Sequence, residues 1–131
     1  MEINFRKTEE SRANKVFLEI LFEGGDGDTD HPQKFQMRDM TYANCLEPEN
    51  LAKIEAEVKN YEILGQILDE YQCQKSKGYD YAEKTYGKDM ARLFENAPND
   101  PQSDYSCKCY LSRITLVAYD ETGAKYESIL W

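Results

Sequence analysis

The sequence predicts an α+β fold: a mainly antiparallel sheet of about five strands, in the order β-β-β-α-α-β-β, with two helices packed on one face. Three observations predict it. Stretches with a period of two gather at both ends of the chain, in residues 1–42 and 105–131. Between them, residues 48–73 carry Leu51, Ile54, Val58, Tyr61, Gly65 and Leu68 at steps of three and four, the spacing of one helical face. The 131 residues contain no linker long enough to separate domains, so residues 1–131 read as one α+β domain.

Residues 1–7, MEINFRK, alternate cleanly and read as a half-buried strand with Met1, Ile3 and Phe5 on one face. Residues 15–23 form the strongest strand: Val16, Leu18, Ile20 and Phe22 share one face, while Phe17 and Leu21 make the other partly apolar. That composition suits a central strand, or one covered on both sides. Residues 24–33, GGDGDTDHPQ, read as an acidic hairpin loop in which the glycines permit positive φ and Pro32 closes the turn. Residues 34–42 give a third strand, with Phe35 and Met37 on one face.

Pro48 and Glu49 suit the first turn of the long helix. Ile63, Leu64, Ile67 and Tyr71 widen its apolar stripe, while Glu49, Lys53, Glu55, Glu57 and Lys59 are left for solvent. The pattern allows one unbroken helix to Cys73, or a bend or split at Asn60 or Gly65. Residues 74–78 read as a connector stopped by Gly78. A second helix follows over 79–96, with Asp80 as N-cap and Gly87 weakening its continuity. Pro98 and Pro101 make 97–104 a loop. In 105–119 the apolar parity switches between Leu111 and Ile114, so a bulge near Ser112 and Arg113 is expected. The turn DETG leads to a last strand, and Trp131 is expected to dock on the body.

The chain carries 25 Asp and Glu against 16 Lys and Arg, a net charge of −9. Direct nucleic-acid binding is disfavoured, because phosphate contacts need a surplus of Lys and Arg. An anionic membrane surface is disfavoured for the same reason. A basic partner suits this charge. The opening residues lack the apolar core of a signal peptide, and no apolar run approaches the roughly 18 residues of a membrane span. This places the protein in the cytoplasm, where Cys45, Cys73, Cys107 and Cys109 are expected to be reduced.

Catalytic constellations are missing from the pattern. His31 is the single histidine, and neither a nucleophile elbow nor a phosphate-cradling glycine loop is present. Cys107 and Cys109 lack the knuckle spacing of a structural zinc site. Asp26, Asp28 and Asp30 alternate like the start of a calcium loop, but the twelfth position is Met37 rather than an acid. No cofactor and no catalytic residue are therefore assigned. Ten tyrosines accompany the acids, more than the predicted core faces can absorb. Exposed tyrosine beside Asp and Glu makes good contact surface.

The expected function is a non-enzymatic acidic binding protein that inhibits or masks a basic, nucleic-acid-processing partner. Nuclease inhibitors, immunity proteins of bacterial toxins and phage anti-defence proteins are of this size and charge. The expected contacts are Asp26, Asp28, Asp30, Tyr79, Asp80, Tyr81 and Glu83. Two alternatives stand beside it: a small-ligand or metal-binding domain using the 24–31 loop, and a self-assembling structural subunit.

Overall fold

A computed structural model describes residues 2–8, 13–24, 30–100 and 107–131. The fold is α+β, with a five-stranded antiparallel sheet and three helices among the described residues. The strands are β1 (Arg6–Thr8), β2 (Val16–Glu23), β3 (Asp30–Gln36), β4 (Tyr110–Tyr119) and β5 (Lys125–Ile129), ordered β1-β5-β4-β2-β3. The helices α1 (Pro48–Tyr71), α2 (Lys75–Tyr86) and α3 (Lys88–Asn96) lie between β3 and β4 in the chain. Contacts gather in two compact units. One holds Met1–Ile20, Gln33–Val58 and Arg113–Trp131, the other Leu21–Pro32 and Lys59–Ser112.

β2 behaves as its composition dictates. Val16, Leu18, Ile20 and Phe22 are all but fully buried, and Phe17 is buried on the opposite face. There it joins Val117 and Tyr119 in a small cluster, with the Phe17 and Tyr119 rings meeting edge to face. In β4, Leu111 and Ile114 are both buried, while Arg113 between them is exposed. From Ile114 to Tyr119 every side chain is buried, so this stretch is covered on both faces. β5 pairs with β4 from Thr115↔Ile129 to Tyr119↔Lys125 and with β1 from Arg6↔Glu127 to Thr8↔Lys125.

The first strand starts later than its alternation predicts. Asn4 N–H donates to the Ser128 hydroxyl rather than to a ladder carbonyl, and pairing begins at Arg6. Phe5 still turns inward, packing on Tyr42 and Tyr126, which stack on each other at 4.3 Å. The third strand runs over 30–36 instead of 34–42. It lies at the sheet edge, where Pro32, lacking an N–H, is tolerated. Phe35 is 38% exposed, and Asp39, at φ 65°, turns the chain away.

α1 runs unbroken through Asn60 and Gly65. Ile54, Val58, Tyr61, Leu64, Ile67 and Leu68 are buried along it. Gly65 stays helical because the close approach needs it: a Cβ there would lie 3.0 Å from Leu111 Cδ2. The predicted second helix is two helices. Its N-terminal part begins at Lys75, so Gly78 is not a stop and Asp80 is not a cap; both lie inside α2. The break falls at Gly87, whose φ of 101° and ψ of 177° suit glycine alone among residues.

Two further expectations fail. The Trp131 side chain is 47% exposed; only its backbone is tied, through hydrogen bonds with Ile114. Cys73 and Cys107 form a disulfide, leaving Cys45 and Cys109 as buried free thiols. The pairing joins residues 34 apart in sequence, a proximity that spacing alone does not reveal. No helix among the described residues is long and apolar enough to cross a membrane.

Candidate functional site

The features of interest lie where α1 ends and α2 and α3 begin. Six acids and two lysines occupy α1, a balance of 2 − 6 = −4 out of the chain's −9. Glu49, Glu55, Asp69 and Glu70 are exposed along it. Its last turn carries no basic residue, so Asp69 and Glu70 stand at the negative end of the helix dipole. Each such placement costs roughly 0.3–1 kcal/mol and builds a potential that favours a cation.

The same end holds a tyrosine group. The Tyr71 and Tyr81 ring centroids are 5.2 Å apart, and those of Tyr81 and Tyr86 are 6.3 Å apart, the second pair edge to face. Tyr71 and Tyr81 are half-buried, while Tyr86 is 45% exposed. Partial burial, Glu70 and Tyr81 together push the Tyr71 hydroxyl pKa up.

α2 turns by about 100° per residue. Gly78 and Ala82 therefore share its buried side. The absent side chain of Gly78 makes room for the Phe94 ring of α3. Tyr79 and Asp80 lie on one flank and line a cleft of about 510 Å³ with Lys75, Phe94, Glu95 and Lys108. Tyr81 lies on the other flank with its ring partners.

Lys108 is the least expected group in this region. Its side chain is 4% exposed, and Nζ donates to the Glu95 and Ala97 carbonyls, 2.8 Å each, closing the end of α3. Nζ also stands 5.7 Å from the Phe94 ring centroid. Burial first, and then the charge of Lys75, pull its pKa below the ordinary lysine value; Glu95 and Cys109 oppose this. The backbone is fixed as firmly: Lys108 N–H donates to Gln72 O at 2.8 Å, and Gln72 Nε2 donates to Lys108 O at 2.9 Å.

The expected contact residues are scattered. Asp26 and Asp28 lie outside the described residues, and Asp30 is exposed in β3. Tyr79 and Asp80 line the cleft, Tyr81 belongs to the tyrosine group, and Glu83 is exposed. His31 is half-buried, and its Nε2 has no hydrogen-bond partner among the described residues. No group of three or more His, Cys, Asp or Glu side chains there is placed to hold a metal ion. The acidic side of α1 was visible as its Glu-rich solvent positions. Lys108 was not, because strand alternation puts the lysine of Cys-Lys-Cys on the face opposite the cysteines, whereas all three side chains are buried.

No family model, no curated protein and no solved structure matches this chain.

Proposed function

We propose that the protein is a non-enzymatic acidic binding protein that masks a basic partner. A nucleic-acid-processing enzyme, with a groove built for phosphates, is the partner class this charge suits best. One observation carries the reading: the exposed acids of α1 run toward a carboxylate pair set against the helix dipole and a neighbouring group of three tyrosines. A guanidinium or ammonium meeting that end gains both from the field and from the π-faces of the rings. Lys77 and Lys84 interrupt the acids on α2, so the α1 end rather than α2 is the centre of the proposed contact.

Tagged protein incubated with lysate and washed at low and then high salt is expected to release a basic protein in stoichiometric amount. Binding to that partner should weaken at least about tenfold in a D69N/E70Q variant, given the worth of close interfacial charge pairs. Binding that is indifferent to salt and to D69N/E70Q removes the electrostatic basis of the proposal. The Cys73–Cys107 bond suits an oxidising compartment better than the cytoplasm. Thiol labelling of the protein drawn from its native source decides that part.

A further inference from the structure

We propose that the cleft between α2 and α3 binds a small organic anion, a carboxylate or phosphate ester with an aromatic or apolar body, whose charged head is held by Lys75 and Lys108. This stands independently of the basic-partner reading.

Lys108 is a buried ammonium lining this cleft. An ammonium has three donors, and the two acceptors it meets are neutral carbonyls. No carboxylate stands at ion-pair distance from it among the described residues. A buried cation without a counter-ion is costly. Lys75 faces the same cleft, and its charge acts on Lys108 unfavourably. An anion seated between the two ammoniums relieves both costs. The first turn of α2 contains no acid, and Gln74 supplies no side-chain cap, so the helix end adds potential of the same sign.

The walls fit an organic body. The Phe94 ring and Tyr79 line the cleft, and about 510 Å³ lies within the usual range of small-molecule sites, roughly 300–1,000 Å³. Asp80 and Glu95 are exposed and also line it. They disfavour polyanions and offer acceptors to a hydroxyl or amino group. The ligand class is thus a compact molecule with one anionic head and a donor elsewhere.

The probes are benzoate, phenyl phosphate and benzylamine, titrated into the full chain by calorimetry. At least one of the two anions should bind saturably and one to one, with a Kd of about 5 mM or tighter for so small a body. Whichever binds tighter identifies the head group. Benzylamine, of similar size and opposite charge, should not bind. Lys108 also ties the end of α3, so Lys75→Glu carries the test. It should weaken anion binding at least about tenfold without lowering the melting temperature, since an acid in the first turn of α2 favours the helix dipole. No saturable binding of either anion up to about 10 mM overturns the proposal. So does binding that Lys75→Glu leaves intact, or equal affinity for benzylamine.

Discussion

Gly78 and Lys108 show how single residues decide the local structure around the cleft. A Cβ on Gly78 would press into the Phe94 ring, with Cε1 at 2.8 Å, and would meet Tyr71 Cβ at the same distance. Alanine is the better helix former by roughly 1 kcal/mol, but overpacking costs about 1–3 kcal/mol. Gly78→Ala should therefore lose up to about 2 kcal/mol in a denaturant titration. Gly65→Ala is the control: its new Cβ meets Leu111 no closer than 3.0 Å, at Cδ2, against contacts under 3.0 Å at Gly78, so the loss should be smaller. Asp120 gives a pH prediction at the same scale. Its carboxylate accepts hydrogen bonds from Thr122 Oγ1 at 2.6 Å, Thr122 N at 2.9 Å and Ala124 N at 3.0 Å. The Thr122 side chain chiefly, with these backbone N–H groups, holds its pKa below the usual 3.8. The folded state then binds fewer protons than the unfolded one in that window. The stabilisation is whole above the unfolded value and is lost as pH falls through the lowered folded value. Thermal melts of Asp120→Asn against the parent should differ least at the acid end and most above pH 4 or so.

Elements were legible where periodicity and burial agree. α1 was readable to within two residues because its apolar positions repeat at steps of three and four, and most of them are buried. β2 was readable because β-branched and aromatic residues fill one parity. The region 74–96 was misread at Gly78 because a glycine in sequence does not say whether it ends a helix or admits a ring. Gly87, nine residues later, does mark a break, and only its φ of 101° distinguishes the two. Gly87→Ala should cost about 1–3 kcal/mol in stability, since no L side chain adopts that backbone readily. The ends of α1 carry the opposite kind of prediction. Glu49 complements the dipole, whereas Asp69 and Glu70 oppose it. D69N/E70Q should therefore gain roughly 0.3–1 kcal/mol per site in stability while weakening the proposed partner contact. Stability and binding moving in opposite directions is the signature of a charge kept for recognition; a variant that loses both assigns those acids to the fold instead.

For the whole molecule, strand grouping was enough to give the α+β class, and acidity enough to frame a partner class. Neither reached the covalent link that ties the second unit together. Cys73 and Cys107 belong to segments joined also by the paired Gln72 and Lys108 hydrogen bonds, a long-range meeting that local pattern does not encode. The bond closes a loop that contains all of α2 and α3. Loop-closure entropy for about 34 residues is worth up to about 4 kcal/mol at room temperature, with 2–4 kcal/mol the usual measured range. Cys73 is exposed, so a reductant reaches the bond without prior unfolding. Reduction, or a C73S/C107S variant, should lower the melting temperature by roughly 8–15 °C for a domain of this size. Because Lys108 still holds the Glu95 and Ala97 carbonyls, the loss should fall short of unfolding at 25 °C, and far-ultraviolet circular dichroism should stay native. A reduced protein that melts with the oxidised one would overturn this account of the bond as a stabilising cross-link.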